Sequence, residues 1–305
     1  MSKVPNLNFM KWRNVLGVVS ILMVLGSIVS LSTQWLALGL DFTGGTQIQV
    51  EFSKPANLDS VRTALSKSDY RDATVQHYGR PEEVLVRVPP VKGQDKDTIG
   101  DHVVQLLRNL DPQAAKKRVE FVGPQVGAEL RDKSGVALLI SMGLMLAYVT
   151  MRFRFKFAIG GVVALIHDVT ITLGFFSITR LTFDLTAMAA VLAVIGYSLN
   201  DTIVVYDRVR ENFRKMRTES PEEIFNISLN QTLTRTLMTS FATLLVVIAL
   251  ALVGGELIFG FAMALIVGIV VGTYSSIYVA SNLVLVQKVS REDFIERERV
   301  VDDMP

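Results

Sequence analysis

The sequence predicts a multi-pass α-helical membrane protein with six transmembrane helices and a small α+β, ferredoxin-like domain outside the membrane. Half of the 305 residues are hydrophobic, and the mean hydropathy is +0.38. The apolar residues gather in six runs, each close to the 20 or so residues that cross a bilayer as a helix. One long segment between the first two runs is polar and shows strand and helix periodicities instead.

The six apolar runs divide the chain into spans and connections. The predicted spans are 15–33, 134–151, 157–179, 185–206, 233–253 and 257–286. The first run has no small-residue cleavage site after it, which favours a retained anchor over a removed signal peptide. The segments between and around the spans are predicted as a cytoplasmic N-terminus 1–14, an extracytoplasmic domain 34–133, an amphipathic cytoplasmic connection 207–232 and a cytoplasmic tail 287–305.

Lysine and arginine in the short loops predict the orientation, because they accumulate on the cytoplasmic side. Every basic cluster falls on one side of the six spans, whereas the loop after the third span has only Arg180 and the loop after the fifth has none. The clusters are Lys3, Lys11 and Arg13; Arg152, Arg154 and Lys156; Arg208, Arg210, Arg214, Lys215 and Arg217; and Lys288, Arg291, Arg297 and Arg299. Both termini are therefore predicted in the cytoplasm, and the long polar segment outside.

The polar segment reads as a folded domain. Ile48, Val50 and Phe52 alternate with polar residues, as in a half-buried strand. Asn57 precedes a helical pattern as a capping residue. Two further strands, a second helix and a last strand at 118–122 follow. The order strand–helix–strand–strand–helix–strand is that of the split βαβ, ferredoxin-like arrangement.

The amino-acid composition limits the kinds of functional site that the chain is expected to contain. The chain has no cysteine and three histidines, so disulfides, thiolate catalysis and cysteine or histidine-rich metal sites are not expected. A net charge of +2 gives no reason to expect a nucleic-acid partner. No serine–histidine pairing, HExxH motif or carboxylate pair within a span points to an enzyme. We therefore expect no catalytic residue, no metal and no cofactor.

Two charged residues inside the predicted spans are candidate proton-coupling groups, because ionised side chains in the bilayer are costly and usually functional. Asp201 lies about 7–8 Å from the cytoplasmic end of the fourth span at 1.5 Å per residue, and Arg235 enters the fifth span at a similar level. Burial would favour the protonated carboxyl and a paired arginine the carboxylate, so such a group could take up and release a proton. The alternative is an interfacial aspartate beside a snorkelling arginine.

His167, Asp168 and Asn200 are further polar residues within the spans. A histidine next to an aspartate is compatible with a proton relay. Adjacent residues of a helix point about 100° apart, however, so we expect His167 and Asp168 not to face each other. A relay and a structural polar contact both remain open for these residues.

Two glycine-containing patterns have structural interpretations. One face of the sixth span carries a small residue at every fourth position, which predicts close packing against another helix or subunit. Its members are Gly260, Ala264, Gly268, Gly272, Ser276 and Ala280. Asp41, Gly44 and Gly45 follow the first span. Paired glycines permit backbone angles that other residues avoid, so they predict either a hinge to the outer domain or a tight turn capped by the aspartate.

Short motifs spread over nearly the whole chain are similar to those of one known family. They occur in a fixed order on the six spans: Asp41-Phe42-Thr43-Gly44-Gly45, Phe121-Val122-Gly123-Pro124, His167-Asp168, Gly196-Tyr197-Ser198-Leu199-Asn200-Asp201-Thr202, Asp207-Arg208-Val209-Arg210-Glu211-Asn212, Thr232-Leu233-Thr234-Arg235-Thr236 and Ser275-Ser276-Ile277-Tyr278-Val279-Ala280-Ser281. The chain resembles the SecD/SecF family of the bacterial Sec machinery, on the side of its smaller subunit, within the resistance-nodulation-division superfamily.

The resemblance implies a role that topology alone does not give. Subunits of this kind associate with SecD and the SecYEG channel in the bacterial inner membrane, and draw a translocating unfolded polypeptide outward with the proton-motive force. It also implies that the proton-responsive carboxylate is Asp201 and its counter-charge Arg235. The alternative is a half-size, proton-driven exporter of small molecules or lipids, although such pumps usually carry twelve spans and two large outer domains.

Overall fold

The computed structural model of the chain describes residues 7–91 and 96–293. The predicted cytoplasmic segments 1–14 and 287–305 lie partly outside these ranges, and Lys3, Arg297 and Arg299 lie wholly outside them.

Most of the described residues are helical. The helices and strands are α1 (Arg13–Thr33), β1 (Ala37–Leu38), α2 (Leu40–Thr43), β2 (Gly45–Glu51), α3 (Leu58–Ser66), β3 (Thr74–Tyr78), β4 (Arg80–Val88), α4 (Lys96–Leu107), β5 (Ala115–Val122), α5 (Pro124–Arg152), α6 (Phe155–Thr179), β6 (Thr182–Phe183), α7 (Leu185–Lys215), α8 (Pro221–Val253), α9 (Glu256–Ser275) and α10 (Ser281–Val286). A π-helical turn, Ser276–Ala280, joins α9 to α10.

Six helical stretches are long and apolar enough to cross a membrane, as predicted. They are α1 with the short turn before it, α5, α6, α7, α8, and α9 with α10. The chain is thus a multi-pass membrane protein.

Three of these helices extend beyond their predicted spans, because a helix does not have to end where the apolar run ends. Residues 124–133, assigned above to the outer domain, are the first turns of α5, which begins at Pro124. The predicted connection 207–232 is largely helix as well, because α7 continues to Lys215 and α8 begins at Pro221. The start of α8 is fixed by a capping box in which Ser220 and Glu223 exchange hydrogen bonds.

The membrane helices pack around α6 and α7, whose inward faces carry the largest buried side chains. Phe176 of α6 and Tyr206 and Phe213 of α7 are all within 2% of full burial. By contrast, α1, α5 and α8 expose many large apolar residues. In a membrane protein, such outer faces are suited to lipid or to partner helices.

The outer domain is a four-stranded sheet with the order β3-β4-β2-β5, and every neighbouring pair is antiparallel. Ile48 and Val50 of β2 are fully buried and Phe52 nearly so, as their alternation predicted. Asn57 caps α3 by accepting from the backbone N–H groups of Asp59 and Ser60. The two helices α3 and α4 complete the core, so the predicted order of elements is observed.

A second, two-stranded contact ties the outer domain to the membrane helices. The segment after α1 forms β1, which pairs in parallel with β6 in the loop between α6 and α7. The chain then passes through α2 into β2, so the first strand of the domain starts beside the outer end of α7.

Candidate functional site

Asp201 lies on the inner face of α7, where its side chain is only 2% exposed. One of its carboxylate oxygens, Oδ2, is buried without a hydrogen-bond partner in the described part of the chain. On α8, Ser240 is a hydrogen-bonding neighbour of the carboxyl group, and Arg235 acts on it as a charge at longer range. A buried carboxyl group with an unused oxygen is costly as an anion and cheaper when protonated. The position is therefore suited to a group that changes its protonation.

Arg235 does not form the direct pair with Asp201 that sequence reasoning suggested. Its side chain is exposed, and within the described residues no ion pair of 4 Å or less joins the two. The reason is the helical phase of α8. Thr236 and Ser240 are one turn apart and buried, whereas Arg235 lies about 100° around the helix axis from Thr236. The two charges therefore act on each other without contact.

Asp168 occupies the centre of a second polar cluster that joins three helices. Its side chain is fully buried. Its Oδ2 accepts hydrogen bonds from the Ser198 hydroxyl of α7 and, at 2.7 Å, from the Ser275 hydroxyl of α9. Its Oδ1 lies 2.8 Å from Nδ1 of His167. Asp168 therefore links α6, α7 and α9.

The contact between His167 and Asp168 contradicts the expectation that these neighbours would not face each other. His167 is 5% exposed, so both side chains lie on the buried part of α6, and the imidazole bends back to reach the carboxylate. Nε2 of His167 is buried without a partner in the described ranges.

Tyr274 extends this cluster to a fourth helix. Its ring stacks on that of His167 with 6.3 Å between the centroids, and its hydroxyl donates to the carbonyl oxygen of Leu16 at 2.6 Å. Ser20 of α1 lies 2.8 Å from the same hydroxyl. Sequence reasoning did not assign a role to Tyr274, although it stands next to the Ser275-Ser276 motif.

Asn200 is not part of either cluster. It is exposed on α7, and its amide has no hydrogen-bond partner among the residues that the structure describes. An exposed amide on a membrane helix is unfavourable in lipid, which favours a neighbouring protein surface there.

The small-residue stripe of the sixth span packs against α7. A methyl group added to Gly268 would overlap Val194, and one added to Gly272 would lie 3.0 Å from Cβ of Ser198. Ala264, Ser276 and Ala280 are fully buried, while Gly260 stands beside the α6–α7 loop. Close approach through this stripe is what brings Ser275 within reach of Asp168.

The motif Asp41, Gly44 and Gly45 lies where the outer domain meets the membrane helices. Gly44 and Gly45 have φ angles of +67° and +118°, which other residues adopt at a cost. Gly44 also leaves no room for a side chain, because a Cβ there would lie 2.9 Å from Cα of Pro124 at the start of α5. Oδ2 of Asp41 accepts the backbone N–H of Leu185 at 3.1 Å, so the motif also caps the first turn of α7.

Arg87 makes a second connection at the same junction, which sequence reasoning missed. From β4 its Nε donates to the side-chain oxygen of Gln47 at 2.8 Å, and its NH2 group donates to the Thr182 hydroxyl of β6 at 3.1 Å. Burial lowers the pKa of the Arg87 guanidinium from its ordinary value, against the opposing effect of Asp184, Asp41 and Glu120. An arginine at this depth is a bridge between the sheet and the outer ends of the membrane helices.

Within residues 7–91 and 96–293, no three or more histidine, aspartate and glutamate side chains come together in a group that could hold a metal ion. The polar residues of the bundle instead form the Asp168 cluster and the separate Asp201 position.

These features define a class: a six-helix membrane protein with a small outer α+β domain and isolated carboxyl groups buried between its helices. Residues 102–290 match the family model described as protein export membrane protein SecD/SecF, C-terminal, and residues 29–56 match the SecD/SecF GG motif. The second match covers the junction motif described above. The chain belongs to the SecD/SecF family.

Curated relatives are similar over nearly the whole chain. A protein translocase subunit SecF from Vibrio alginolyticus is 51% identical, over 98% of this chain and 97% of its own. The SecF subunit from Pseudomonas aeruginosa is 46% identical over 99% of each chain. These names describe a transport subunit rather than an enzyme.

Two solved structures of SecDF are also similar. The structure from Thermus thermophilus, titled a translocon-associated membrane protein, has a TM-score of 0.86 at 36% identity over 94% of this chain. A SecDF chain in a super-membrane-facing form has a TM-score of 0.70 at the same identity. The present chain covers 40% and 39% of those two chains, so each of them is more than twice as long as the matching part.

Proposed function

We propose that the chain is an accessory subunit of the Sec protein-export machinery, which works with SecD and uses the proton-motive force to promote late steps of polypeptide translocation. The family membership supports the export role, and the relatives are named as translocase subunits. The observation that carries the energy coupling is the buried carboxyl group of Asp201, with one oxygen free of hydrogen bonds in the described chain.

The physical argument concerns what a proton changes at Asp201. As a carboxylate, the side chain attracts Arg235 and requires polar neighbours such as Ser240; as a neutral carboxyl group, it requires neither. The packing of α7 against α8 therefore has two electrostatic states. One elementary charge moved through 100 mV supplies about 2.3 kcal/mol, enough to shift the balance between two arrangements of helices.

The orientation of the chain is part of the proposal. Arg13 at the start of α1 pairs with Glu222 at the start of α8, and Arg152 at the end of α5 pairs with Asp207 of α7. These basic residues share the end of the bundle opposite the outer domain. The positive-inside rule then supports cytoplasmic termini and a domain outside the inner membrane.

The partners follow from exposed polar groups and from the length of the chain. Asn200 and Arg235 are exposed on α7 and α8, where lipid alone would leave an amide and a guanidinium poorly solvated. We propose that SecD covers this face, since the SecDF chains are more than twice as long as the part that resembles this one. The SecYEG channel and the passing unfolded polypeptide complete the assembly.

Asp41, Gly44 and Gly45 serve as the hinge of the proposed mechanism, together with Arg87. A change in α7 reaches the outer domain through the N–H of Leu185, which Asp41 accepts. The two SecDF structures match this chain with different TM-scores, which supports motion between parts of such proteins. The domain would thus move when Asp201 changes its charge.

The test compares Asp201→Asn with Glu211→Gln. Both replace a carboxylate of α7 by an amide, but Glu211 is at the helix end and pairs with Arg208 and Lys215. In cells that depend on this chain and SecD, we expect Asp201→Asn to insert normally and to lose the gradient-dependent part of export of a secreted reporter. The Glu211→Gln variant should export normally.

The second part of the test repeats the export assay with an uncoupler, which dissipates the proton gradient. It should reduce export in the unchanged protein and have no further effect in Asp201→Asn. Full gradient-dependent export in Asp201→Asn would remove the proton role. Normal reporter export in that variant together with loss of small-molecule efflux would favour the exporter alternative instead.

A further inference from the structure

Four arginines line one cavity at the end of the bundle opposite the outer domain. The cavity has a volume of about 270 Å³ and lies between the turn that joins α5 to α6 and the last turns of α7. Arg152 is the last residue of α5, Arg154 lies in the turn, and Arg210 and Arg214 come from α7. The last two are one helical turn apart, so they share a face of α7.

Two of the four arginines bring positive charge to this cavity without a carboxylate partner in the described part of the chain. Arg152 is paired with Asp207 at 2.8 Å, and its guanidinium stands 5.2 Å over the ring of Phe153. Arg210 and Arg214 form no ion pair within the described ranges. The helix α6 also begins here at Phe155 without a side-chain cap, so its first N–H groups add partial positive charge. Converging guanidinium groups repel one another unless an anion lies between them.

Apolar side chains at the rim indicate the rest of the ligand. Met151 at the end of α5 is 88% exposed and Phe155 at the start of α6 is 73% exposed. Met151 lines the cavity, and Phe155 follows the lining residue Arg154 in the chain, at the level where the membrane helices end. A ligand with an anionic head and an apolar tail would place its phosphate among the arginines and its chains along these side chains. Guanidinium groups bind phosphate oxygens in pairs, which suits them to such a head group.

We propose that this cavity binds the phosphate of an anionic phospholipid of the surrounding leaflet. Basic pockets between membrane helices on the cytoplasmic side are known to take such head groups. The site is separate from Asp201; it rests on the proposed orientation of the chain and not on its role in export. Its effect would be to fix the α5–α6 turn to the end of α7.

The experiment measures which lipids stay with the full chain. The chain is placed in nanodiscs of equal phosphatidylglycerol and phosphatidylcholine, and the lipids retained on release are counted by native mass spectrometry. The variant Arg210→Gln/Arg214→Gln is compared with Arg208→Gln/Lys215→Gln. The control removes the same charge from the same helix, at residues that pair with Glu211 and do not line the cavity.

We expect the unchanged chain to retain phosphatidylglycerol selectively. A basic residue near the surface contributes about fivefold to anionic lipid binding, so the Arg210→Gln/Arg214→Gln variant should lose about 30-fold. The control should lose little. The Arg210→Lys/Arg214→Lys variant keeps the charge but not the paired hydrogen bonds, so it should recover part of the selectivity, which also shows that the helix is folded.

Three results would overturn the proposal. Without selectivity in the unchanged chain, there is no site. Equal losses in both glutamine variants would mean diffuse attraction by the whole basic surface. A third arm titrates inorganic phosphate against the detergent-solubilised chain, and displacement of the lipid at millimolar phosphate would identify free phosphate as the ligand in place of a lipid.

Discussion

Replacing Asp168 with alanine removes the acceptor on which three helices converge. Ser198 and Ser275 both donate to its Oδ2, and Nδ1 of His167 lies 2.8 Å from its Oδ1. The side chain is fully buried, so water does not replace the lost acceptor without entering the bundle. We therefore expect Asp168→Ala to loosen the packing of α6 against α7 and α9.

The size of the effect follows from the two contacts that join helices, because the contact with His167 lies within α6. Hydrogen bonds between membrane helices contribute about 0.6 kcal/mol on average and about 1.7 kcal/mol at most. Two of them give about 1 kcal/mol at the average and about 3 kcal/mol at the maximum. The expected loss in the free energy of unfolding is therefore about 1–3 kcal/mol.

This loss is measured by unfolding the protein with sodium dodecyl sulfate in mixed micelles. The signal is the fluorescence of Trp12 and Trp35, the two tryptophans of the chain. A double-mutant cycle with Ser275→Ala isolates one contact, and we expect a coupling energy of at least about 0.5 kcal/mol. The reasoning would be refuted if the free-energy losses of the two single variants add up, within that margin, to the loss of the double variant. A loss smaller than that margin for Asp168→Ala alone would refute it as well.

A second substitution at Asp168 distinguishes a proton relay from a structural contact. The variant Asp168→Asn keeps the size of the side chain and one carbonyl acceptor, but it does not ionise. Export that stays gradient-dependent in Asp168→Asn would assign the cluster to structure, and export that loses this dependence would assign it to proton movement.

Three further predictions concern the outer domain. Gly45→Ala should lower the stability of the outer domain by about 1–3 kcal/mol, because a side chain at φ +118° would meet the carbonyl oxygen of Val88. The loss is measured as faster hydrogen exchange in β2. Arg87→Gln should broaden the distance between spin labels on the sheet and on the α6–α7 loop, which is easily measured because the chain has no cysteine; an unchanged distribution would mean that β1 and β6 suffice. The N–H and hydroxyl of Ser53 hold the pKa of Asp111 below its ordinary value. Ser53→Ala should therefore raise the pKa of Asp111 in an NMR titration. The stabilisation that corresponds to the lowered pKa is present above about pH 4 and is lost as the pH falls through the lowered value.

Much of the fold could be predicted because the signals are local. A run of about 20 apolar residues is sufficient to indicate a membrane helix, and alternation over 46–52 is sufficient to indicate a strand. The helices α5, α7 and α8 continue beyond the predicted spans because hydropathy marks the membrane and not the helix. Helix-start signals are present in the sequence, with Pro124 at the first position of α5 and Ser220 as the cap of α8.

The site was harder to predict because it depends on which way each side chain points. Arg235 and Thr236 are neighbours in sequence, yet only Thr236 is buried. One position along a helix turns a side chain by about 100°, and no local pattern in α8 distinguishes the two faces. The contacts of Asp41 with Leu185 and of Arg87 with Thr182 join residues 144 and 95 positions apart. Such contacts become visible only when the topology is known.

The helix α7 connects all of these features along one rigid element. Its 31 residues extend about 46 Å at 1.5 Å per residue. Asp41 holds its first turn, Asp168 holds Ser198 near its middle, and Arg210 and Arg214 line the cavity near its other end. Asp201 lies one turn from Ser198, so a change in its charge acts on a helix that Asp41 and Asp168 hold at two levels. A shift of α7 must therefore break the hydrogen bond to Asp168 or carry α6 and α9 with it, and it would reach the outer domain through the contact between Leu185 and Asp41.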